Sequence, residues 1–124
     1  MNFVYHEHRY GKHLLENRFP DADKEISDVI KSITDQEIIE KHQLNFAASK
    51  SISKALNALF KEKLVKLGWK PESPIFSQTE YQRKESGRKD GTWRLDFAKG
   101  DDDAKVSVEV AFYHGEALAW NLLK

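Results

Sequence analysis

Two carboxylates, Asp96 and Glu109, stand in the stretch RLDFAKGDDDAKVSVEVAF at 94–112. Each closes a short apolar strand pattern, and an acidic turn separates them. Strand side chains alternate between faces. Val106, Val108, Val110 and Phe112 therefore share one face, and Ser107, Glu109, Ala111 and Tyr113 the other. On the preceding strand Trp93, Leu95 and Phe97 oppose Thr92, Arg94 and Asp96. Folding the two strands about the turn at 101–104 makes cross-strand neighbours of positions whose numbers sum to 205. Asp96 then faces Glu109, with Cβ atoms roughly 4.5–5.5 Å apart, where like charges repel. Arg94 or a hard divalent cation would offset that repulsion, since such cations prefer carboxylate oxygen. Taken alone, the pair also fits ordinary solvated strand residues. Asp101, Asp102 and Asp103 lack the spacing of an EF-hand loop and read as solvated turn residues.

The elements around this hairpin follow from local pattern. FVYHEHRY alternates like a strand that Gly11 would end. After Pro20, Ile26, Val29, Ile30 and Ile33 recur at helical spacing, with acids in the first turn. Thr34 and Glu37 have capping-box spacing and would start a further short helix over QEIIEKH. SISKALNALFKEKLVKLGW is the clearest helix, with Ile52, Leu56, Leu59, Phe60, Leu64 and Leu67 in one stripe and Gly68 placed to end it. Pro71 and Pro74 open an extended edge segment, 83–90 is a basic, Gly-containing loop, and a final amphipathic helix begins near Glu116. The fold class expected is α/β (α+β), a mixed sheet flanked by helices.

A chain of 124 residues suits one domain with one core. It has no cysteine, which excludes disulfides, a thiolate nucleophile and zinc–thiolate sites. No stretch approaches membrane-spanning length, so a cytoplasmic protein is the default. The net charge of zero conceals a pattern. Residues 1–40 carry 5 basic and 9 acidic side chains, residues 41–94 carry 12 and 5, and residues 95–124 carry 3 and 6. A basic middle between acidic ends hints at a polyanionic partner, although a solvated surface has the same composition.

Other candidates are weaker. His6 and His8 share a strand face and, with His13, present three nitrogens for zinc, but polar histidines on an outer face are commoner. Lys61, Lys63 and Lys66, and the loop residues Arg83, Lys84, Arg88 and Lys89, are candidate phosphate contacts, and Tyr81 a candidate for base stacking. Lys61 and Lys63 point different ways on one helix, so the loop is the better DNA candidate. Trp69, Trp93 and Trp120 read as core or interface anchors.

The pattern D-F, a short charged turn, then V-x-V-E-V-x-F resembles the active-site hairpin of the BglII- and BstYI-like type II restriction endonucleases, which have the PD-(D/E)xK nuclease fold. ALNALFKEKLVKLGWK at 55–70 is similar to that group's N-x-x-[F/I]-K-[E/D]-x-L helix, with Asn57, Phe60, Lys61, Glu62 and Leu64 in place. The resemblance spans most of the chain. It implies a restriction-endonuclease-like core over 1–124, incomplete at its C-terminus, and hydrolysis of double-stranded DNA with Mg²⁺, or Mn²⁺ as substitute. It further implies a homodimer, and makes Asp96 and Glu109 the metal-binding, catalytic pair.

One departure matters for chemistry. The group's third active-site residue, two positions after the glutamate, is here Ala111. Lys105, His114, Glu116 and Glu62 are the accessory candidates to replace it, and the sequence does not choose among them. The alternative is a non-catalytic DNA-binding or dimerisation module that keeps the nuclease fold. An interaction domain without DNA is a third possibility.

Overall fold

The computed structural model describes residues 1–74, 94–101 and 104–111, and the chain divides into two compact units, Met1–Gly68 and Trp69–Lys124. The first unit is helical. Helix α1 spans Gly11–Arg18, α2 Pro20–Ser32, α3 Asp35–Asn45 and α4 Ser53–Lys66. Pro20 sits in the first turn of α2, where its missing N–H costs nothing, and Asp21 and Asp23 follow it at the positive end of the helix dipole. α3 starts on the expected capping box. Glu37 N–H donates to Thr34 Oγ1 at 3.2 Å, and Thr34 N–H donates to Glu37 Oε2 at 2.9 Å.

α4 packs on both α2 and α3. Val29 and Ile33 from α2 and its end, Ile38 from α3, and Ala55, Leu56, Leu59 and Leu64 from α4 are buried. Lys63 Nζ donates to Glu37 Oε1 at 3.1 Å, and Lys41 pairs with Glu62, so charged pairs edge the α3–α4 contact. The apolar stripe of α4 is shorter than expected. Ile52 is 56% exposed and Leu67 is 40% exposed, because they form the two caps and lie outside the helical repeat. Gly68 has φ +89° and ends the element in the left-handed region, as its position predicts.

The N-terminal segment is a correction. Residues 1–7 form no strand, and Gly11 opens a helix instead of closing a strand. The alternation has another cause: it puts Phe3 and Tyr5 on one side, where their rings meet edge-on at 5.1 Å. Tyr5 Oη lies 2.8 Å from Ser27 Oγ of α2. The Met1 ammonium donates to the carbonyls of Ile30 and Ile33 at 3.0 and 2.5 Å, adding a donor to the former, which also accepts the Ile33 N–H at 3.4 Å, at the end of α2. Arg9 and Tyr10, with φ of 50° and 62°, then turn the chain into α1.

The second unit holds strands β1 (Lys70–Pro74), β2 (Arg94–Gly100) and β3 (Lys105–Val108), in the order β1-β2-β3. Both pairings are antiparallel, and the helices and sheet together make the fold α+β. β1 lies on an outer side of this three-stranded order, where its two prolines remove ladder donors at least cost. Phe97 and Ala98 are consecutive and both buried, so the middle strand is covered on both faces. Trp69 is only 2% exposed. Trp93, Trp120 and the helix expected from Glu116 lie outside the described residues, as does the loop at 83–90.

Candidate active site

The hairpin keeps the expected register. Phe97 pairs with Val108, Ala98 with Ser107, Lys99 with Val106 and Gly100 with Lys105. The turn closes with Asp101 N–H donating to the Ala104 carbonyl at 3.2 Å and Ala104 N–H donating to Asp101 Oδ1 at 2.9 Å. The Asp101 carboxylate therefore serves the turn, an Asx-type arrangement. Gly100, with φ +126°, lies so close to the returning chain that a Cβ there would fall 2.1 Å from the Ala104 carbonyl oxygen.

Asp96 and Glu109 stand one step beyond the last paired residues, both half-buried. Asp96 N–H donates to Glu109 Oε1 at 3.4 Å, and Val110 N–H donates to Asp96 Oδ2 at 2.9 Å. Each carboxylate thus accepts from the backbone of the opposite chain. Beyond Val108 these side chains take donors that a continuing ladder would have given to carbonyls. The N–H dipoles aimed at the two carboxylates stabilise their negative charge. Hydrogen-bonded across the hairpin and half-buried, the two side chains offer hard oxygen donors of the kind Mg²⁺ or Mn²⁺ accepts. The residues present fit such a cation as a two-carboxylate site that leaves its remaining positions to water. Among the described residues no group of three or more His, Asp or Glu side chains could hold a metal ion.

The family described as restriction endonuclease BglII/BglIII matches residues 3–124 of this chain. The chain belongs to that family. No curated protein and no solved structure matches it significantly. The class of the BglII/BglIII family is DNA endonuclease, a hydrolase that generally works with divalent metals.

Against the pattern resembling that family, the remaining candidates fall as follows. Ala111 is exposed, two residues after Glu109. Lys105 shares a strand parity with Glu109 but pairs with Gly100 beside the turn, roughly 13 Å away along an extended chain. Glu62 is engaged by Lys41 within the helical unit. His6 and His8 are exposed in the N-terminal segment, and His13 on α1 is 3.2 Å from the Asn17 amide. Of the helical lysines, Lys63 is paired with Glu37. His114, Glu116, Tyr81, Arg83, Lys84, Arg88 and Lys89 lie outside the described residues. No membrane-spanning helix occurs among the described residues.

Two features escaped sequence reasoning. Glu72, the β1 residue opposite Asp96, has φ +49°, and Arg94 Nη1 donates to its carbonyl at 3.0 Å. The flanking Pro71 and Pro74 were the available signal, since two prolines in five residues disturb a ladder.

Proposed function

We propose that this chain is a Mg²⁺-dependent type II restriction-type endonuclease acting on double-stranded DNA, with Asp96 and Glu109 as its metal-binding, catalytic carboxylates. The observation that supports this is that each carboxylate accepts a backbone N–H from the opposite strand of the hairpin. When bound there, a divalent cation supplies Lewis acidity toward a phosphate oxygen and a more acidic water. Asp96 and Glu109 would be the residues that hold that cation, each supplying carboxylate oxygen and negative charge. The hydrogen bonds from Val110 and from Asp96 N–H keep one oxygen of each side chain fixed, so little reorganisation is required when substrate arrives. Arg83, Lys84, Arg88 and Lys89 would contact phosphates, and a homodimer would match the two-fold symmetry of a palindromic site.

Ala111 favours a second reading. Its methyl group cannot orient water or bind metal, so the chain would be a DNA-binding or dimerisation module that keeps the fold without the chemistry. Supercoiled, unmethylated plasmid incubated with the protein in Mg²⁺ and in Mn²⁺, with Asp96→Ala as control, separates the two. Defined linear fragments that are absent with the variant establish the nuclease. Intact plasmid from folded protein overturns it, and salt-sensitive DNA binding without cleavage then supports the module.

A further inference from the structure

Asp96 lies between two interruptions of the sheet, one on each neighbouring strand. On the β3 side, pairing stops at Val108. On the β1 side, Pro71 pairs with Phe97 and Ser73 with Leu95, but Glu72 drops out of the ladder directly opposite Asp96. Its φ of +49° is left-handed, a region that residues bearing a Cβ rarely enter. Such strain persists only where neighbouring groups hold it. Here the neighbour is Arg94, whose Nη1 donates to the Glu72 carbonyl at 3.0 Å. Arg94 and Asp96 are two residues apart on β2 and share a face.

We propose that Arg94 is a positioning residue for Asp96, holding the Glu72 carbonyl so that β1 stays turned opposite the carboxylate that meets Glu109. The inference rests on Asp96 and Glu109 being the metal-binding pair. If Glu72 relaxed to an extended conformation, β1 would pair continuously through this position and draw the backbone of Asp96 into a regular ladder. The distance from Asp96 to the departing chain of Glu109 and Val110 would then change. Glu72 acts here through its backbone, and its carboxylate takes no part.

Charge and position predict opposite signs. Removing a positive charge two residues from Asp96 on the same strand would, by Coulomb's law alone, strengthen cation binding. Loss of positioning weakens it.

Mn²⁺ binding to the full chain, read from the electron paramagnetic resonance of free Mn²⁺, tests this without any turnover. Wild type is expected to bind and Asp96→Ala to lose binding. Arg94→Met, which keeps the aliphatic stem and loses the donor, is expected to weaken binding about tenfold, the range usual for groups that support metal ligands. Arg94→Lys, which retains a donor, keeps most of the affinity, and Arg94→Leu, which also lacks the donor, replaces Arg94→Met as the test variant should the latter not fold. Glu72→Gly binds as wild type does, because glycine enters the left-handed region freely and keeps the carbonyl. Adding Glu72→Gly to the weakened Arg94 variant restores binding.

Unchanged or tighter binding by a folded Arg94→Met overturns the inference while leaving the metal pair intact. Failure of Glu72→Gly to restore the weakened variant overturns the route through Glu72. Loss of binding in Glu72→Gly alone overturns it by making the carboxylate a ligand. Absence of Mn²⁺ binding by wild type overturns the metal pair itself, and this inference with it.

Discussion

Val110 donates its backbone N–H to Oδ2 of Asp96 at 2.9 Å, immediately after the residue whose carboxylate accepts the Asp96 N–H. The ladder ends at Val108, and two acidic side chains take over its donors. A continuing ladder would satisfy the same N–H groups with carbonyls and leave both carboxylates to water. Here the hairpin gives up a step of regular pairing, and each of two acidic side chains accepts from the backbone of the opposite strand.

Asp96→Asn tests how far fold and chemistry separate at this pair. The amide oxygen still accepts from Val110, and one of two opposed charges disappears, so the unfolding temperature is expected to stay level or rise. Plasmid cleavage is expected to fall about a thousandfold, because each factor of ten in rate is about 1.4 kcal/mol and a ligating carboxylate supports several kcal/mol of transition-state stabilisation. Thermal melts beside cleavage rates check this. A variant that melts early and cuts normally would make the pair a structural device.

Gly100→Ala should cost far more than Gly68→Ala, although both glycines have positive φ. At Gly68 nothing lies within 4 Å of an added Cβ, so only the backbone conformation is penalised, about 1–2 kcal/mol. At Gly100 the new Cβ meets the Ala104 carbonyl at 2.1 Å and Lys105 Cα at 3.0 Å, backbone atoms that cannot move aside alone. Overpacking then adds to the conformational penalty, for a total of about 2–5 kcal/mol. Denaturant midpoints of the two variants would show the ordering.

Glu37 links the helical unit to pH. Its carboxyl is held below its ordinary value of 4.5, first by the Thr34 N–H and then by Lys63. A depressed folded-state value means that the contribution is fully present above the ordinary value and is lost as pH falls through the lowered one. Glu37→Gln keeps the capping geometry and is expected to flatten the stability profile below pH 4.5. Thr34→Ala removes the cap at all pH values, costing about 1 kcal/mol, or about 3–6 °C of melting temperature in a chain of this size. Circular dichroism melts from pH 3 upward distinguish the two.

Adjacent positions on α4 should differ sharply. Leu64 is 1% exposed and Val65 is 43% exposed. Leu64→Ala leaves a cavity among α4 and its neighbours and is expected to cost about 2–5 kcal/mol. Val65→Ala is expected to stay within about 0.5 kcal/mol. Equal losses in urea unfolding would mean that α4 is not docked by this face.

Much of this was legible along the chain because it depends on short-range rules. Pro20 opens α2, Thr34 and Glu37 make a capping box, and Gly68 ends the run after α4. Each rule operates within a few residues and needs no partner from elsewhere. The register of β2 and β3 was legible for a related reason: strand parity and a four-residue turn leave little freedom once two alternating runs fold back on each other. Family membership was legible too, since the D-F and V-E-V-x-F spacing lies within that one hairpin.

Tertiary structure decided the rest. FVYHEHRY has a strand's alternation but lies on α2, because the same side-chain period serves any extended segment packed by one side. α1 was missed because glycine before a short, polar run signals an ending as readily as a beginning. Above all, where β3 stops pairing and where Glu72 turns left-handed depend on bonds from Asp96, Glu109, Val110 and Arg94, which bridge 13, 14 or 22 positions along the chain. The residue types at 96 and 109 were set by sequence. Their meeting as a hydrogen-bonded pair, and the turned strand beside them, exist only once three strands lie together, because hydrogen bonds between strands require the strands to be in place.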